Sequence, residues 1–215
     1  MNGIFDLNSK FMQTLSSIGD YILLNLCFFV CCIPVVTIGA AKTALYRASF
    51  DMLDNRGNLY RRFFQTFTHE IKSTLPTLLI RLAILAVFGW ELWLVANNAV
   101  PAQRLFLIGL FLALWLIFAL TSSIYAQISR FAATTAQYWK NAVYIAITHP
   151  LQSLAIGLID LFPPLMIFGL PTYAAMMGPV WLFLYFSVTT MFGARMLRKP
   201  FEFYIEQFEE ESTDQ

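Results

Sequence analysis

Long apolar runs alternate with short polar segments along this chain. The runs are Tyr21–Thr37 continuing to Tyr46, Leu75–Val95, Leu105–Ala126 and Leu151–Met196. A bilayer core about 30 Å thick takes roughly 20 helical residues to cross. Each of the first three runs fits one crossing. The fourth is about twice too long, and the segment Phe162–Pro171, with Pro163, Pro164, Gly169 and Pro171, predicts a turn inside it. The pattern therefore predicts an all-α, polytopic membrane helix bundle in one domain. Its five transmembrane spans are expected near residues 21–46, 75–95, 105–126, 151–168 and 172–196, followed by an acidic tail over 200–215.

Shorter stretches show the period of surface helices. Ile4, Leu7, Phe11, Leu15 and Ile18 predict an interfacial helix before the first span. In the first connection, the turn Asp54–Asn58 is followed by Leu59, Phe63, Phe67 and Ile71 at four-residue spacing. With Arg61, Arg62 and Lys72 close by, this segment is expected to lie on the inner leaflet or to dock a cytoplasmic partner. In the tail, Phe201, Tyr204, Ile205 and Phe208 repeat the helical period among Glu residues.

Composition supports the membrane reading. The chain is 58% hydrophobic and 13% charged, where a soluble domain carries roughly 25% charged residues. The net charge of +1 is less informative than where the charges lie. Lys42, Arg47, Arg56, Arg61, Arg62 and Lys72 follow the first run; Arg130 and Lys140 follow the third; Arg195, Arg198 and Lys199 follow the last. Five spans put all of these on one side and leave Lys10 and Arg104 opposite. By the positive-inside rule the carboxyl terminus is then cytoplasmic and the amino terminus outside. The first 20 residues lack the basic start and apolar run of a cleavable signal, so the first span is expected to act as its own insertion signal.

Three ionisable residues fall inside the runs: Arg81, Glu91 and Asp160. Arg81 is about six residues, roughly 9 Å, into its helix and is long enough to snorkel. Glu91 sits beside Trp90 and Trp93 at the expected outer belt. Asp160 is short and deep, so it needs a partner, a proton or a wet cavity. A pair with Arg81 is one reading, and a transport or sensing role near the Pro163–Pro164 break is the other. Pro34 predicts a kink in the first run. After it, Thr37, Gly39, Ala40, Thr43 and Ala44 place small residues four apart, the pattern of a close helix-packing face.

Cys27, Cys31 and Cys32 sit among Leu, Phe and Val with no completing ligand set, and read as small buried hydrophobes. His69 and His149 are isolated. No catalytic triad, phosphate loop or metal motif is present, so the sequence predicts neither a catalytic residue, a metal nor a cofactor, and not an enzyme.

One resemblance is specific. Gly19-Asp20, Leu23–Leu26, and then Pro34-Val-Val-Thr37-Ile-Gly39-Ala-Ala-Lys-Thr43-Ala-Leu-Tyr46, followed by Arg62-Phe-Phe and Phe67, resemble the YesL-like family of bacterial integral membrane proteins, grouped under a domain of unknown function. The likeness is sharp over residues 15–75. It implies a Gram-positive membrane protein encoded near carbohydrate transporters, glycoside hydrolases and sensor kinases, and hence an accessory or regulatory role in sugar uptake. Expected partners are membrane lipids and a transporter permease or sensor kinase, with no nucleic acid. The alternative is a small-solute transporter or channel component using the Asp160 and Pro163–Pro164 region.

Overall fold

The computed structural model describes the backbone over residues 3–96 and 103–213, and side chains over 16–94 and 108–201. No strand occurs among these residues, and the architecture is an all-α membrane-type bundle. The helices are α1 (Gly3–Cys31), α2 (Ile38–Leu53), α3 (Leu59–His69), α4 (Ile71–Ala96), α5 (Gln103–Ile128), α6 (Thr135–Thr148), α7 (Pro150–Gly169), α8 (Pro171–Met176), α9 (Gly178–Val180) and α10 (Phe186–Thr213). A π-helical turn, Trp181–Tyr185, joins α9 to α10.

Among the described residues, four stretches are long and apolar enough to cross a membrane: Ile71–Leu94, Ile108–Ile128, Pro150–Gly169 and Gly178–Phe201. The first apolar helix, Ser16–Cys31, is shorter. The expected first span at 21–46 is thus not one kinked helix. It is interrupted at Cys32–Thr37, where Pro34 opens a single 3₁₀ turn. Pro34 has no N–H to continue the ladder. Thr37 caps the interruption, its Oγ1 lying 2.6 Å from both the Cys31 and Pro34 carbonyls.

Past this turn α2 packs back along α1. Leu24, Phe28 and Cys31 of α1 share a cluster with Ala41, Ala44, Leu45 and Ala48 of α2 and with Phe63 of α3. Asp20 accepts a 2.6 Å hydrogen bond from the Tyr60 hydroxyl, which ties the start of the apolar part of α1 to the start of α3. The open ends of the α1–α2 hairpin therefore lie together. Its apolar tip, Ile33, Val35 and Val36, is more than half exposed. Small residues explain how α2 enters the bundle: Ala40, Ala41, Ala44 and Ala48 have no exposed surface, and Gly39 faces Thr74 and Tyr125, where a Cβ would meet atoms at 3.1–3.3 Å. Such contacts let helix backbones approach closely.

The predicted turn in the long fourth run falls at the end of the Phe162–Pro171 segment, and the helix is not broken at Pro163–Pro164. Helix α7 continues through Pro163 and Pro164 and ends at Gly169, with Leu170 as the hinge before α8. Pro163 cannot donate to the Ile159 carbonyl one turn back. The Tyr185 hydroxyl replaces that donor at 2.7 Å. A freed carbonyl at membrane depth is tolerated only when a neighbouring helix satisfies it in this way. The tail helix continues past Pro200 to Thr213, but its side chains, like those of the Ile4–Leu15 stripe, lie outside the described residues.

A buried charge cluster between the hairpin and the bundle

Asp160 is 8% exposed and points from α7 towards α2. Its partner is Lys42, not Arg81: Lys42 Nζ lies 2.5 Å from Asp160 Oδ1. Ser122 of α5 donates to the second carboxylate oxygen. One aspartate thus receives donors from two other helices, and Lys42 is itself 6% exposed. Sequence reading had assigned Lys42 to the basic connection after the first run. The small-residue stripe around it carries α2 into the bundle, so its charge is interior. That the stripe Gly39-Ala-Ala-Lys-Thr43-Ala has a lysine in its middle was the available signal.

Arg81 faces the same cluster from α4. Its guanidinium lies over the Phe118 ring, 3.8 Å from the centroid. This turns it inward instead of letting it snorkel. Behind these groups is a cavity of about 200 Å³ between α4, α5, α7 and the hairpin. Lys42, Arg81 and Asp160 form its charged end, and Phe28, Leu82, Leu85, Phe118 and Phe186 supply much of its apolar wall. Glu91 is remote from this cluster, near the far end of α4 beside Trp90 and Trp93, which are about 60% exposed and whose rings lie 5.5 Å apart.

A second polar device was missed from sequence. Asn25 is fully buried. Its amide donates to the Trp181 and Leu182 carbonyls at 2.7 and 2.6 Å, and its oxygen accepts from the Ser187 amide at 2.9 Å. These are backbone groups that the π-helical turn leaves out of the ordinary ladder. One asparagine in an apolar run, Leu23-Leu-Asn-Leu, was the signal for it.

At the open end of the hairpin the charges are more numerous and nearer the surface. Asp51 is buried and pairs with Arg62 at 2.9 Å and Arg47 at 3.5 Å. Asp54 gathers Arg130 at 2.8 Å, Arg198 at 3.6 Å and Arg56 at 3.7 Å. Arg130 also lies over the Phe50 ring at 4.5 Å. Helix α3 turns its apolar stripe inward, with Phe63 fully buried and Phe67 packed on the same cluster. Arg62 is drawn to Asp51, while Arg61 and Lys72 stay exposed. Burial, and then the neighbouring Asp20 carboxylate, push the Tyr60 phenol above its usual range, so it remains a donor to Asp20.

Residues 21–92 match the family model described as "Protein of unknown function, DUF624", which bears out the YesL-like resemblance. The matched segment holds Asn25, the hairpin, Lys42, Asp51 and Arg81, but not Asp160. No curated protein and no solved structure matches the chain.

Proposed function

We propose that this chain is a non-enzymatic membrane accessory or regulatory protein of carbohydrate uptake, acting on a transporter permease or a sensor kinase. The observation that carries this reading is α6. It links α5 to α7 outside the four long apolar stretches, on the end of the bundle that holds Arg130. Its start is fixed by a capping box, with the Thr134 backbone amide donating to Gln137 Oε1 at 2.9 Å. Along it and just beyond, Val143, Tyr144, Ile147 and Leu151 are 43%, 42%, 73% and 83% exposed. An ordered apolar face that runs along α6 and onto the first turn of α7 suits a membrane-embedded or membrane-adjacent partner. The Lys42–Asp160–Ser122 contact favours this over a transport path, because the deepest carboxylate is already held by a cation and a hydroxyl. Replacing Ile147 with a photo-crosslinking residue in the native host should trap a permease or kinase component. Solute flux by the purified protein in liposomes, with no crosslinked partner, would overturn the reading.

The same reading sets the topology. The carboxyl terminus lies on the cytoplasmic side with the Arg130 and Arg198 cluster. Because Asp20 is tied to Tyr60 near the Asp51 end of α2, we place the amino terminus on that side too, with α1–α2 a re-entrant hairpin. This departs from the five-span expectation of an outer amino terminus. It keeps every basic cluster inside and moves Lys10 there as well. A cysteine added at residue 2 should resist an impermeant thiol reagent in intact cells, and labelling there would restore the five-span topology.

A further inference from the structure

We propose that the cavity beside Arg81 binds one amphipathic anion, an acyl chain ending in a carboxylate or phosphate, with its head on the Arg81 guanidinium. This goes beyond the accessory role and does not depend on it.

Charge is the first reason. Two cations, Lys42 and Arg81, face one carboxylate, Asp160, which Lys42 and Ser122 already occupy. Arg81 makes no ion pair with a carboxylate among the described residues, and the Phe118 ring covers only the face of its guanidinium. Its edge lies near the Tyr125 hydroxyl but meets no paired carboxylate, and a planar fork of donors suits an oxyanion. Tyr125 adds a buried hydroxyl beside the guanidinium that makes no hydrogen bond of good geometry. Arg81 is partly buried and shares the single Asp160 carboxylate with Lys42, so the cluster carries one excess positive charge, which an anionic head would neutralise.

The shape of the cavity is the second reason. Its walls away from the charged end are apolar, so a fully polar solute would lose its water there without replacement. Ile167 lines the cavity and is also 53% exposed on the apolar outer surface of α7. The cavity therefore borders the surface that faces acyl chains, and an amphiphile can enter laterally, tail and head together.

The test uses the full chain purified in a neutral maltoside detergent. Radiolabelled laurate binding is measured by scintillation proximity, with dodecyl phosphate and dodecanol as competitors. Laurate or dodecyl phosphate should bind saturably at one per chain, and dodecanol should not compete. The tighter of the two anions identifies a fatty acid or a phospholipid-type head as the natural class. R81Q should weaken binding at least tenfold, and R81K by less. L82W fills the cavity while keeping the charge, so it should abolish binding even if R81Q fails to fold. Equal competition by dodecanol, absence of saturable binding by both anions, or unchanged binding in folded R81Q or L82W would overturn the proposal.

Discussion

Two charge clusters fasten the α1–α2 hairpin, and they work under different physics. At its open end, Asp51 and Asp54 meet five arginines, several of them well exposed: Arg62 is 36% exposed and Arg56 52% at the side chain. Deep inside, the side chains of Lys42 and Asp160 are 7% and 5% exposed, and the carboxylate has a single ion-pair partner. Coulomb attraction is strong where water is absent, but so is the penalty for removing each charge from water. The deep pair is therefore poor evidence of net stability and good evidence of register. Only one depth and one rotation of α2 put Lys42 against Asp160 and Ser122 together. The outer cluster is more forgiving, since several arginines compete for two carboxylates.

The sharpest way to separate the two is to remove one deep partner. Asp160→Leu should destabilise the protein by about 3–5 kcal/mol, because Lys42 is left buried without a counter-charge. The double change Lys42→Met with Asp160→Leu should recover most of that loss in thermal unfolding in detergent. A double variant no better than Asp160→Leu would show that the deep pair is a stabilising contact and not a register device. Asp51→Ala should come next, with a loss of about 1–3 kcal/mol, since Asp51 is buried but its arginines can turn to water. A loss as large as that of Asp160→Leu would erase the contrast.

Tyr185→Phe tests a neutral deep bond. It removes the donor to the Ile159 carbonyl, and membrane precedents put such bonds at about 0.6 kcal/mol, with a maximum near 1.7. The smallest effect belongs to Asp54→Asn, at about 0–1 kcal/mol. It should also shrink further as salt is raised, because partly exposed pairs are screened. Salt-independent loss there would mean that Asp54 is as enclosed as Asp160.

These contrasts mark what the sequence makes readable. The apolar runs after Ile71 are legible because crossing a bilayer imposes length and hydropathy together. The stripe at Gly39–Ala44 is legible as a packing face for the same local reason. Lys42 was misplaced because a lysine after an apolar run ordinarily marks an interface, and only the fold reveals that α2 turns back into the bundle. Arg81 and Asp160 were both singled out by depth, yet their partners were not. Pairing depends on how helices rotate against one another over 118 residues of separation. The turn near Pro171 was legible, but the Pro163–Pro164 pair was read as a break in the helix because sequence shows the missing donors and not the hydroxyl of Tyr185 that replaces one.

The separation of Lys42 from Asp160 also has a temporal side. Translation delivers about 5–20 residues per second, so the 118 residues between them take roughly 6–24 s to appear. Throughout that interval the lysine lacks its Asp160 counter-ion, and holding a bare ammonium in hydrocarbon costs about 2.5–3.5 kcal/mol. The hairpin should therefore wait at the membrane surface while α4, α5 and α7 are threaded, and enter last although it is made first. Nascent chains truncated before residue 160 should leave a cysteine at position 35 open to a water-soluble thiol reagent, and chains carried past α10 should protect it.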